Sequence, residues 1–177
     1  MRTFASWALI IFGLLAIVFG TYLLSEHYTP KRLTFENFQT SSKALGADSL
    51  PYRITIPSLN LDLGVFPAKI ANKKWEATTK GISYLNESPI PGEKGNSILY
   101  GHNFPSILGN LTKAKKGEKI EIEFSDKSRK TFTIEYTSII APNQTYVLKQ
   151  SKDRRITLYT CTGFLDSKRF VVTAILD

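Results

Sequence analysis

The pattern of apolar and polar positions divides the chain into three stretches. Positions 4–24, FASWALIIFGLLAIVFGTYLL, carry no charge. A helix over this run would span about 31 Å at about 1.5 Å per residue, roughly the thickness of a bilayer's hydrocarbon core. Trp7 and Tyr22 stand near its two ends, where aromatic side chains suit the membrane interfaces. The run is longer than the apolar segment of a cleaved signal peptide. The exit Tyr22-Leu23-Leu24-Ser25 also puts large residues where cleavage wants small ones. The pattern therefore predicts an uncleaved transmembrane anchor over residues 1–25. Residues 26–49 are polar, sustain no period and are broken by Pro30, Ser41-Ser42 and Gly46. That predicts a juxtamembrane stalk that lifts the following domain off the bilayer.

From residue 50 to 177 the period changes to two. Tyr52–Ile56 alternates up to Pro57, and Leu59, Leu61 and Leu63 alternate with Asn60 and Asp62. Ile120, Ile122 and Phe124 share one face, and after the loop Asp126-Lys127-Ser128 so do Phe132, Ile134 and Tyr136. This pair predicts a hairpin. Ser97–Tyr100, Arg155–Tyr159 and Arg169–Leu176 supply further strands. Short helical turns are expected around Ala77–Tyr84 and Ile107–Lys115. Seven or eight short strands with few helical windows predict an all-β barrel or sandwich.

Composition narrows the function classes. Charged residues make up 21% and aromatics 12% of the chain, as in a globular core. The net charge of +8 is spread over separate short clusters. There is no basic arm, finger spacing or RNP box, so no nucleic-acid partner is expected. The charge suits an anionic envelope. The carboxylates Glu118, Glu121, Glu123 and Asp126 belong to the hairpin's solvent side, and no metal or cofactor is expected.

The candidate chemistry rests on few residues. Cys161 is the only cysteine, so the domain has no internal disulfide. An unpaired thiol outside the reducing compartment calls for an explanation. A thiol becomes a good nucleophile beside an imidazole or a cation. Of two histidines, His27 lies in the stalk, which leaves His102, at a predicted strand end, as the proton carrier. Arg169 begins the return strand after Cys161, placed to meet a developing oxyanion.

Thr157-Leu158-Tyr159-Thr160-Cys161 matches the TLxTC signature of sortases. Tyr100-Gly101-His102-Asn103 resembles that family's glycine–histidine turn, and Arg169–Ala174 its arginine-bearing terminal strand, all in the family's order. The resemblance covers about residues 50–177 and implies a closed eight-stranded β-barrel on the outer face of a monoderm membrane. It implies a cysteine transpeptidase that cuts secreted proteins at an LPxTG-like C-terminal sorting signal. Cys161 would be the nucleophile, His102 the acid and base, and Arg169 the oxyanion partner. The acyl group would pass to an amine of cell-wall precursor or a pilin subunit. Thr160 and Asn103 are the candidate substrate-contact positions, Asn103 also as a group that orients His102. Thr162-Gly163-Phe164 departs from the commonest continuation, which leaves the subclass open, and no long extra loop resembling a pilin-polymerase lid is present. An L,D-transpeptidase would want a histidine close to the cysteine, and none follows Cys161. A non-catalytic adhesion barrel would make the three residues incidental.

Overall fold

The protein is described here by a computed structural model that covers residues 2–27, 29–36, 49–71 and 74–177. The N-terminal helix α1 runs over Arg2–His27, with Trp7, Phe12, Leu15, Phe19 and Leu24 all exposed. Over residues 9–25 the side chains of α1 are described without a break. That stretch is about 26 Å long at about 1.5 Å per residue. Among the described residues no helix is long and apolar enough to cross a membrane.

Ten strands follow. They are β1 (Pro51–Ile56), β2 (Leu61–Ala68), β3 (Ile70–Ala71), β4 (Lys74–Trp75), β5 (Ile82–Leu85), β6 (Gly95–Tyr100), β7 (Lys119–Phe124), β8 (Arg129–Ile140), β9 (Arg154–Thr162) and β10 (Lys168–Leu176). Eight close into a barrel in the order β1-β2-β5-β6-β9-β10-β8-β7, with β7 pairing back onto β1, while β3 and β4 form a separate ribbon. The β2/β5 and β6/β9 pairs are parallel and the rest antiparallel. The closed eight-stranded barrel is thus as expected, and closure leaves no long strand edge unpaired.

Local chemistry explains several joins. In the β7–β8 turn Asp126 Oδ1 accepts from the Ser128 N–H at 2.9 Å. Lys127 takes a left-handed φ of 70° there, and the aspartate side chain holding its own backbone is what makes such a turn. At Gly81 a Cβ would lie 2.3 Å from the Gly64 carbonyl oxygen, so the close approach of β2 and β5 requires glycine there. The expected helical turn over Ala77–Tyr84 is not formed. Its second half is β5, buried on both sides, and a strand covered on both faces loses the alternation that would announce it. The Ile107–Lys115 expectation reduces to turns and a 3₁₀ helix at Leu111–Lys113. Two strands exceed their expected lengths: β8 continues to Ile140, and β9 to Thr162, so Cys161 lies inside a strand rather than past its end.

The barrel wall carries two cores. Ile54, Ile120, Phe132, Leu158 and Val172 fill the interior. On the outer side of β6, β9 and β10, a second cluster gathers Tyr100, Tyr159, Cys161, Val171, Trp75, Val147 and Leu148. Leu33 and Phe35 join this outer cluster, 0% and 2% exposed. Within the stretch expected as a juxtamembrane stalk, Pro30–Leu33 forms a 3₁₀ helix, and Leu33 and Phe35 pack on the barrel surface. Burying two such side chains is worth about 3–6 kcal/mol before the entropy of ordering the segment is subtracted.

Candidate active site

The pleat of β9 decides which residues share the site. Successive side chains alternate across a strand, so Tyr159 and Cys161 face outward while Leu158 and Thr160 face the barrel interior. In the β9–β10 register Arg169 is the direct partner of Cys161, which puts both on the same face of the sheet. Strand β6 runs parallel on the other side of β9, with Tyr100 opposite Tyr159. Beyond β6, the Gly101 N–H donates to the Tyr159 carbonyl at 3.2 Å, and Thr160 Oγ1 donates to the Gly101 carbonyl at 2.8 Å. The two chains are therefore still side by side one residue before His102 and Cys161. Thiol and guanidinium come from β9 and β10, and His102 follows two residues after the end of β6, on the other side of β9.

Thr160 is fully buried, and its Oγ1, donating to the Gly101 carbonyl, ties the histidine-bearing turn to β9. Asn103 donates from Nδ2 to Asp166 Oδ1 at 2.7 Å. His102 is buried and stacks on Phe104, ring centroids 4.8 Å apart and 6° from parallel.

Sequence reasoning missed two groups. The first is Asp166 in the β9–β10 loop. It accepts from Arg32 Nη1 at 2.8 Å as well as from Asn103, and its carbonyl accepts from Arg169 Nη1 at 2.9 Å. Leu165 and Asp166 both adopt left-handed φ values, 48° and 59°. Each such residue costs about 1–2 kcal/mol, offset here by the hydrogen bonds that hold the loop. The second group is the segment Arg32–Phe35. Cys161 Sγ donates to the Arg32 carbonyl at 2.9 Å, the Tyr159 hydroxyl to the Leu33 carbonyl at 3.0 Å, and Arg169 Nη2 to the Thr34 carbonyl at 3.1 Å. Phe35 packs edge-on to Tyr159 with centroids 4.9 Å apart. Only Leu33 and Phe35, two large apolar residues within the polar stretch, hinted at a segment that packs on the barrel.

Electrostatics follow the cover. Burial pushes the Cys161 thiol up from the usual 9.0 to about 11; Arg169 pulls it down, Asp166 pushes it further up and Arg32 pulls it down. The sign is that of any acid whose charged form loses its water. Burial likewise raises Tyr159 well above its ordinary value. The covered sulfur is therefore held towards its protonated thiol form. Arg169 is 3% exposed; its Nη1 also donates to the Lys168 carbonyl at 2.9 Å. Its Nε–H is buried without an acceptor among the described residues.

Cys161 on β9, Arg169 on β10 and the turn after β6 that carries His102 thus lie on neighbouring segments of a closed β-barrel. Comparison with known proteins gives the family. The sequence model of the family described as "Sortase domain" matches residues 54–177. Sortase A of Listeria monocytogenes is 32% identical over 135 residues, which cover 73% of this chain and 58% of that protein. Sortase A of Streptococcus agalactiae is 29% identical over 133 residues, 70% of this chain and 51% of that protein. The crystal structure of the Listeria monocytogenes sortase A superposes with a TM-score of 0.59 at 30% identity, covering 73% of this chain and 88% of that one. The chain belongs to the sortase family, a family of cysteine transpeptidases. It spans little more than half the length of the two curated relatives.

Proposed function

We propose that this chain is a membrane-anchored cysteine transpeptidase. It cleaves secreted proteins at an LPxTG-like sorting signal and transfers the acyl group to an amine of the cell wall or of a pilin subunit. The observation that carries this reading is the direct pairing of Arg169 with Cys161, with the His102 turn on the neighbouring strand. The Cys161 thiolate attacks the threonine carbonyl carbon. The oxyanion that forms meets the Arg169 guanidinium, whose Nε–H has an unspent donor. As the tetrahedral species collapses, the C–N bond breaks and His102 gives its proton to the leaving amine. The thioester is then attacked by the acceptor amine, His102 takes that amine's proton, and the C–S bond breaks to release the Cys161 thiolate beside a protonated His102, the starting state. Asp166 and Asn103 hold the β9–β10 loop and the histidine turn to each other. Every step of this scheme is carried by the chain's own side chains.

Anchoring is supported by the uncharged run from Phe4 to Leu24 and by the exposed apolar side chains of α1, which water does not solvate favourably. A helix suits that setting because it satisfies its own backbone groups. Taken whole, α1 runs over Arg2–His27. Its full length is about 39 Å at about 1.5 Å per residue, against a hydrocarbon core of about 30 Å, and the proposed arrangement puts the catalytic barrel outside.

The full chain in detergent, given a panel of LPxTG-like peptides and an amine acceptor, tests the reading by intact mass. A thioacyl adduct is expected on the wild type, absent in Cys161→Ala and strongly reduced in His102→Ala and Arg169→Ala. If no peptide acylates Cys161 although iodoacetamide reaches it, the transpeptidase reading fails.

A further inference from the structure

Away from Cys161, a cleft of about 450 Å³ opens on the outer face of β1 and β2, lined by Tyr52, Arg53, Asp62, Gly64, Val65 and Phe66. Small-molecule sites have volumes of about 300–1,000 Å³. In the β1/β7 ladder Pro51 pairs with Phe124 and Arg53 with Glu123, so Tyr52 is the extra residue of a β-bulge. Strict alternation from the buried Ile54 would put Arg53 outside and Tyr52 inside. The bulge re-aims Tyr52 outward beside Arg53, where it is 57% exposed. On β2, Asp62, Gly64 and Phe66 follow at every second position, which gives them one face. Gly64, the direct partner of Arg53, puts no side chain into the cleft. The Phe66 ring, 38% exposed, comes within 3.2 Å of where a Gly64 Cβ would stand and within 2.9 Å of one on Gly81.

The cleft thus combines two exposed aromatic rings with an ion pair in which Arg53 donates through Nε and Nη2 to both oxygens of Asp62. Each part selects the same kind of ligand. The negative face of an aromatic ring attracts the positively polarised C–H face of a sugar ring. A guanidinium beside a carboxylate offers donors and acceptors within one contact, as neighbouring hydroxyls do. The two charges offset each other, which disfavours an anionic polymer and suits a neutral one. We propose that this cleft is a glycan-binding subsite for a neutral, β-linked pyranose chain. Its place in the barrel gives it a use. Only β5 separates β2 from β6, the strand that leads into the His102 turn. Gly81, against Phe66 on one side, has its carbonyl oxygen 3.5 Å from the Cβ position of Gly101 on the other. A glycan held in the cleft lies one strand from the residue assigned to deprotonate the acceptor amine. That use rests on the transpeptidase reading; saccharide binding itself does not.

The test titrates the full chain in detergent with tetra-N-acetylchitotetraose, a flat β-linked tetrasaccharide, and follows amide chemical shifts. Saturable millimolar binding is expected, with the largest shifts at Gly64, Val65 and Gly81. Tyr52→Ala and Phe66→Ala are each expected to weaken binding about tenfold, the loss of one stacked ring. Tyr52→Phe and Cys161→Ala are expected to bind as the wild type does. If Phe66→Ala does not fold, Tyr52→Ala decides alone. No saturable binding by the wild type, or unchanged affinity in the alanine variants, overturns the subsite. Acylation of Cys161 by LPxTG-like peptides separates the two readings. Tetrasaccharide binding without acylation by any peptide leaves the subsite and removes the transpeptidase. Acylation without tetrasaccharide binding leaves the transpeptidase and removes the subsite.

Discussion

Cys161 and Arg169 face each other across neighbouring antiparallel strands, and each donates a hydrogen bond to a carbonyl of the same short segment, two residues apart. Sheet register alone therefore holds the thiol and the guanidinium, the proposed nucleophile and oxyanion partner, side by side.

This preorganisation makes Arg169→Lys a severe substitution. The guanidinium serves the Asp166, Lys168 and Thr34 carbonyls through two nitrogens and keeps Nε–H in hand, which an ammonium cannot reproduce. Peptide cleavage by Arg169→Lys is expected to lose about 10²–10³ in kcat, the usual cost of losing an oxyanion donor. Steady-state kinetics with an internally quenched peptide checks it; a change confined to KM would assign Arg169 to ground-state binding.

The covered thiol has a pH signature. The folded chain holds the Cys161 proton up to about pH 11, whereas the unfolded chain releases it near 9.0. Between those values the native state binds more protons than the unfolded one, so stability falls as pH rises through the window. Denaturant unfolding of the wild type is expected to weaken between about pH 9 and about pH 11 relative to Cys161→Ala. Parallel curves for the two proteins would show the thiol to be unperturbed.

Thr160→Val separates an interior from a substrate role. The substitution keeps the shape and removes the donor to Gly101. It leaves a buried carbonyl short of a partner at a cost of about 1–3 kcal/mol. A lower unfolding free energy together with a lower kcat is expected, because the His102 turn loosens. A variant of wild-type stability with a raised KM would return Thr160 to the substrate groove.

Asn96 supports the segment that carries Val147 and Leu148 into the outer cluster. Its Nδ2 donates to the Val147 and Lys149 carbonyls at 2.9 and 3.2 Å, and its Oδ1 accepts from Thr157 Oγ1 at 2.8 Å. Asn96→Asp keeps the size but points a buried oxygen at two carbonyls. We expect a loss of about 2–4 kcal/mol in denaturant unfolding, together with faster alkylation of Cys161 as Val147 and Leu148 loosen. Unchanged stability would mean that the segment after residue 145 holds itself.

Much of this protein could be read along the chain. The apolar run of α1, the alternation of β1, β7 and β8, and the Asp126-Lys127-Ser128 turn are local signals, set by solvation and turn geometry within a few residues. Cys161, His102 and Arg169 were visible too, since only a few side chains suit thiol chemistry and their flanking motifs stand in the family's order. Strand β5 was not legible, because burial on both faces erases the period that marks a half-buried strand. The inward turn of Thr160 required the observed extent of β9, since only the pleat assigns neighbouring residues to opposite faces. Asp166 and the segment Arg32–Phe35 required the tertiary structure altogether. Arg32 and Asp166 are 134 positions apart, and Cys161 and Arg32 are 129. Contacts of that span leave no periodic trace in either segment; they arise only when barrel closure exposes an apolar groove that the residues before β1 are long enough to reach.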